Sequence, residues 1–118
     1  MVEQLTSNLF AAWRDSANSL GVVPLVLDVR EPWELQTASV TADGFALLHI
    51  PMQTIPARQE ELKLTYGTGH PIAVLCHHGV RSQQVAQYLA SNGFTNLVNL
   101  QGGIDAWSHH VDARVAQY

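Results

Sequence analysis

The chain has 118 residues, about the size of one domain, with 47% hydrophobic residues, 14% charged residues and a net charge of −4. This balance excludes an intrinsically disordered chain, and six scattered Lys and Arg argue against a nucleic-acid surface or a polybasic membrane patch. A single cysteine allows no internal disulfide, no CxxC pair and no multi-cysteine zinc site.

Met1-Val2-Glu3-Gln4-Leu5 lacks the basic and apolar regions of a signal peptide, and no apolar run approaches the roughly 18 residues of a membrane span. The expectation is a soluble protein of a reducing compartment, the cytoplasm. Ser7 to Asn18 carries Leu9, Phe10, Trp13 and Ala17 on one stripe of 3.6-residue period, predicting a helix after a Thr/Ser cap, with Gly21 as terminator. Val22 to Val29 is a continuous apolar and β-branched run ending near Asp28, the pattern of a strand covered on both faces. Glu31 to Leu35 reads as a short helix with Pro32 in its first turn, and Gln36 to Gly44 as irregular.

Phe45 to Ile50 predicts a second strand closed by Pro51, and Ile55 to Leu64 a weaker helix before the turn at Tyr66-Gly67-Thr68-Gly69. Pro71 to Leu75 is a short buried-strand pattern, and Ser82 to Asn92 a helix with Gly93 beyond its end. Phe94 to Leu100 predicts the last strand, and a helix begins at Ile104 to Trp107 after Gly102-Gly103. There is no repeat, linker or low-complexity tract. Alternating strands and helices with short loops predict one α/β domain over residues 1–118. The expected architecture is a three-layer α/β/α sandwich around a mostly parallel sheet of about five strands. Ligands of such sheets bind beyond the carboxyl ends of the strands, where Asp28 and Cys76 both fall.

Cys76-His77-His78-Gly79-Val80-Arg81-Ser82 carries the lone cysteine between a strand and a helix. Free amides and the dipole at a helix N-terminus favour a thiolate there, with Arg81 nearby. Gly79 lets successive amides converge on one point, forming a nest for an anion or for the sulfur itself. A buried structural cysteine is the competing reading; the polar residues that flank Cys76 suit a reactive thiol better than a packed core.

Three segments resemble the rhodanese-homology domain, a sulfurtransferase module. Leu27-Asp28-Val29-Arg30-Glu31-Pro32-Trp33-Glu34 is similar to its early signature, Cys76 to Ser82 to its active-site loop, and Leu100-Gln101-Gly102-Gly103-Ile104-Asp105-Ala106-Trp107 to its closing signature. His49-Ile50-Pro51 resembles the ending of its second strand, whereas Thr37 to Phe45 departs from the usual Gly-His-Ile-Pro-Gly-Ala approach. The resemblance implies ping-pong transfer of a sulfane sulfur from thiosulfate or another persulfide donor, through a Cys76 persulfide, to a thiol acceptor or cyanide. Amides from His77 through Ser82 would cradle that sulfur, with Asp28 and Arg30 as supports for the loop. The implied partners are a small-molecule sulfur donor and a thiol acceptor, either a small molecule or a sulfur-acceptor protein.

Cys-x4-Arg spacing is one residue shorter than the Cys-x5-Arg loop of the related phosphatases and arsenate reductases, which favours sulfur over a tetrahedral oxyanion as the bound group. His78 stands where members that favour thiosulfate often carry Lys or Arg, which points away from thiosulfate as an efficient donor. A sulfur relay or docking module without turnover is the main alternative, and a phosphatase-like enzyme a lesser one. No cofactor is implied. No metal is expected either, because Cys76, His77 and His78 in one tight loop cannot all point at a tetrahedral ion. His109-His110 reads as a solvated helix face, and Trp13, Trp33 and Trp107 as core or rim packing.

Overall fold

The computed structural model describes residues 2–118. Strands β1 (Glu3–Thr6), β2 (Leu25–Asp28), β3 (Ala46–His49), β4 (Ile72–Leu75) and β5 (Leu97–Gln101) form one parallel sheet in the order β1-β5-β4-β2-β3. Five helices connect or follow them: α1 (Phe10–Ser19), α2 (Pro32–Thr37), α3 (Ile55–Tyr66), α4 (Val80–Ser91) and α5 (Gly103–His110). This is the expected α/β/α architecture, with β2 and β4 buried at every position.

Alternation along these strands sorts the core into two layers. Leu25, Leu27, Ile72 and Val74 pack with Ile55 and Leu62 of α3 and with Val85, Ala86 and Leu89 of α4. Val26, Ala73 and Leu75 face Phe10 of α1 and Ile104 and Trp107 of α5. Phe10 meets Trp107 edge-on at 4.6 Å and Phe45 at 5.3 Å, contacts that add about 1 kcal/mol each to their buried area.

Successive strands run toward one edge from β1 to β3, whereas β4 and β5 return toward the other. The chain therefore reverses between neighbouring β2 and β4, and their carboxyl ends flank the crevice where such sheets bind ligands.

Four of the five strands were anticipated. The edge strand β1 was missed because Glu3–Thr6 is too short to show a period, and of its residues only Leu5 is buried. The first helix starts later than expected, since Ser7–Leu9 forms a 3-10 turn and Thr6 makes no side-chain cap bond. The expected strand over 22–29 narrows to Leu25–Asp28, and that over 94–100 shifts to Leu97–Gln101, because pairing with β4 and β1 sets the ends. The fourth helix starts two residues before Ser82, and the last runs to His110.

Candidate active site

Cys76 follows β4 directly and continues its alternation, so it joins Ile72 and Val74 in the layer that packs on α3 and α4. Its sulfur points toward the first turn of α4 and is almost fully enclosed, at 1% exposure. The Gly79 N–H donates to Sγ at 3.0 Å, and the thiol donates to Ser82 Oγ at 3.2 Å. Of the loop amides, Gly79 alone reaches hydrogen-bond distance of the sulfur among the described residues. Gly79 holds φ +102°, and a Cβ there would come within 3.1 Å of the Gly102 nitrogen.

The loop carbonyls are turned the other way. The Ile104 N–H donates to the Cys76 carbonyl at 2.8 Å and the Asp105 N–H to the His77 carbonyl at 3.1 Å. The first turn of α5 thus takes up two loop oxygens with amides that have no partner inside the helix. Peptide planarity turns the opposite N–H ends of these units away from α5. A Cβ at Gly103 would lie 2.4 Å from the Cys76 carbonyl oxygen and 2.5 Å from that of His77, so this packing requires glycine.

Two polar networks flank the loop. One is ionic. Arg30, with no exposed surface, donates through Nε and Nη2 to Asp28, and through Nη1 to Tyr118 Oη at 2.9 Å. Burial alone would weaken its protonation, but the bonds to Asp28 and Tyr118 outweigh that and raise its pKa. Glu34 receives four donors: Arg81 Nη1 at 2.7 Å, Arg81 Nη2 at 2.8 Å, the Glu31 N–H at 2.8 Å and Tyr118 Oη at 2.9 Å. The bidentate Arg81 contact, aided by the Glu31 amide against the cost of burial, lowers the Glu34 pKa to about 2. The same pairing raises the Arg81 pKa.

The other network is uncharged. The Ser82 hydroxyl donates to Asn99 Oδ1, while Asn99 Nδ2 donates to the Gly79 carbonyl at 3.1 Å and to Gln4 Oε1 at 2.8 Å. Ser82 and Asn99 are both buried. Parallel pairing of β1 with β5 sets Gln4 directly beside Asn99.

His77 lies between two rings, stacked on Tyr118 at 3.7 Å and on His78 at 3.9 Å. Burial first, and then His78, lower its pKa, which favours the neutral imidazole. His77, His78 and Asp105 bring possible ligand atoms within 4.8 Å of one another. The two imidazoles are stacked, with their planes 24° apart.

Of the residues singled out in the sequence, Cys76, Gly79 and Ser82 meet at the sulfur. Val80 is exposed, His78 is exposed, and Arg81 turns away to Glu34. Asp28 and Arg30 are buried and bond each other; among the described residues, Arg30 connects them toward the loop through Glu34 and Tyr118. Trp107 is core, Trp13 packs against it, and Trp33 is 62% exposed with its edge on Tyr118. His109 and His110 are exposed, and His110 Nδ1 bonds Ser7 Oγ at 2.8 Å.

Glu34, Asn99, Tyr118 and Gln4 were not foreseen as site residues. A signal existed for Asn99, a carboxamide inside the apolar run Leu97-Val98-Asn99-Leu100, where a polar side chain needs a buried partner. No local pattern marks Tyr118 or Gln4.

The family model for the rhodanese-like domain matches residues 10–110. The adenylyltransferase and sulfurtransferase MOCS3-1 of Zea mays is 36% identical over 75% of the chain, which spans only 19% of that protein. The thiosulfate sulfurtransferase GlpE of Tolumonas auensis is 35% identical over 70% of each chain. Among solved structures, a rhodanese-like domain protein from Staphylococcus aureus superposes with a TM-score of 0.71 at 25% identity, covering 99% of both chains.

Proposed function

The chain belongs to the rhodanese-like domain family, a family with sulfurtransferases among its members, and we propose that it moves sulfane sulfur as a persulfide on Cys76. The observation that carries this reading is the enclosed sulfur of Cys76, held by the Gly79 amide in a loop whose Cys76 and His77 carbonyls are drawn off to α5. In the first half-reaction the Cys76 thiolate attacks the outer sulfur of a donor R–S–S⁻. The donor S–S bond breaks, R–S⁻ leaves with the electron pair, and Cys76–S–S⁻ forms. An acceptor thiolate then attacks the outer sulfur, takes it as its own persulfide and returns the Cys76 thiolate. The Gly79 amide is placed to stabilise negative charge on the sulfur in both steps. Asp28 and Arg30 act at a distance, by fixing the ionic wall that holds Arg81.

Charge supports a persulfide over thiosulfate as donor. Each of the six Lys and Arg side chains faces a carboxylate, Arg81 of the loop included. A doubly charged sulfonate-bearing donor finds His78 at the loop but no uncommitted guanidinium or ammonium among the described residues. A persulfide whose anionic charge rests on the transferred sulfur needs little beyond the Gly79 amide. The acceptor is a thiol, carried by a small molecule or a protein.

Incubation with glutathione persulfide should add one sulfur atom to the intact mass, and excess thiol should remove it. Cys76→Ser should add none and lose transfer by at least about a thousandfold. Thiosulfate should load the wild type at least about tenfold more slowly. Loading that persists in Cys76→Ser, or no loading by either donor, overturns the proposal.

A further inference from the structure

We propose that Asn99, which bonds both Ser82 and the Gly79 carbonyl, restrains the thiol through Ser82, by holding the Ser82 hydroxyl proton away from the sulfur. The direction of the hydrogen-bond chain is fixed at one end by a backbone group. The Gly79 carbonyl can only accept, so the atom of Asn99 that faces it is Nδ2, and the amide nitrogen's second hydrogen goes to Gln4 Oε1. Oδ1 is therefore left facing Ser82 Oγ, and the Ser82 hydrogen is committed to it. The sulfur then meets only a lone pair of Ser82. A neutral thiol satisfies that lone pair by donating to it, at 3.2 Å.

A thiolate has no hydrogen to give, and the same contact sets two lone pairs against each other. When the thiol ionises, its proton leaves to water and the Ser82 O–H must turn from Asn99 Oδ1 to Sγ. No covalent bond of Ser82 changes. The turn exchanges a buried hydrogen bond to an amide oxygen for one to a charged sulfur, and leaves Oδ1 without its donor. Asn99 is thus a positioning residue that opposes ionisation of Cys76, and Ser82 is the group through which it acts. Gln4 supports it from the neighbouring strand and opens onto a groove of about 600 Å³ beside Gly79, lined also by Gln83 and Gln84.

Other charged and titratable groups surround Cys76 from several elements. Arg81 on α4 pairs with Glu34 on α2, His77 and His78 lie in the loop, Asp105 stands on α5, and the Asp28–Arg30 pair lies at the end of β2. No side chain among these bonds Ser82 or Asn99, so their influence is common to the variants below.

The inference rests on Cys76 being the nucleophile, and its test does not depend on sulfur transfer. The rate of alkylation by iodoacetamide is measured against pH for the wild type, Asn99→Ala, Ser82→Ala and the double variant, with thermal unfolding as a check on folding. Asn99→Ala frees the Ser82 hydroxyl to donate to sulfur, so alkylation at a fixed acidic pH should rise about fivefold to tenfold, and the half-maximal pH should fall. Ser82→Ala should abolish that gain, leaving the double variant equal to Ser82→Ala alone. Asn99→Ser, too short to span Ser82 and Gly79 together, carries the same expectation if Asn99→Ala does not fold. Alkylation that slows or stays unchanged without Asn99, or a gain that survives in the Ser82→Ala background, overturns the inference. Failure of Cys76 to accept sulfur with this alkylation pattern intact would instead overturn the sulfurtransferase reading.

Discussion

The Cys76 loop stands between two walls of opposite character. On the α2 side Asp28, Arg30, Glu34, Arg81 and Tyr118 form an ionic wall whose side chains make no hydrogen bond to the sulfur. On the β5 side Ser82, Asn99 and Gln4 form a neutral wall that bonds it directly. Charged pairs fix geometry strongly but impose large fields, whereas neutral hydrogen bonds can be redirected at modest cost. The division leaves strong interactions where the loop needs holding and adjustable ones where a sulfur changes charge.

If the ionic wall is purely a brace, breaking it should cost stability first and chemistry second. Arg30→Met leaves Asp28 as an uncompensated buried charge and should destabilise the fold by about 3–5 kcal/mol, measured by urea unfolding. Asp28→Leu with Arg30→Met should recover most of that loss, which would mark the pair as mutually compensating.

Glu34 gives the wall a pH signature. Its pKa is lowered from 4.5 to about 2, so its contribution is fully present above about pH 4.5 and is lost as pH falls toward 2. The interval amounts to at most about 3 kcal/mol, reduced by the third of Arg81 that remains in water. Glu34→Gln should therefore be less stable at neutral pH and should flatten the acid limb of the unfolding curve. An acid limb as steep as that of the wild type would remove Glu34 from the wall.

Tyr118→Phe keeps the stack on His77 but removes the hydroxyl that joins Arg30 to Glu34. It should cost about 1 kcal/mol in the same measurement. Its persulfide transfer rate should stay within about twofold of the wild type. A larger change in rate than in stability would show that the ionic wall reaches the sulfur after all, and the contrast between the walls would fail.

Much of the fold was legible before any coordinates. Runs such as Leu25-Val26-Leu27 and Ile72-Ala73-Val74-Leu75 are apolar at consecutive positions because both faces of a central parallel strand are covered, a local signal of a global position. The strand–cysteine–glycine–helix succession likewise located Cys76, since a helix start imposes its amides within a few residues. By contrast β1 escaped notice, because an edge strand of four residues takes its pairing from β5 rather than from its own pattern. The expected ring of amides around the sulfur also narrowed to the single bond from Gly79, since loop direction depends on how α5 packs.

Sequence by itself determined four of the five strands, the order of the helices and the placing of Cys76 at a strand–helix junction, because these follow from hydrophobic period, turn residues and motif spacing within short windows. Tertiary structure alone decided the partners: Arg81 with Glu34 47 residues away, Tyr118 with Glu34 across 84, and Asn99 with Gln4 across 95. Side-chain hydrogen bonds act over about 3 Å in space irrespective of separation along the chain. Only the folded sheet, by bringing the ends of β2, β4, β5 and β1 together, could assign them.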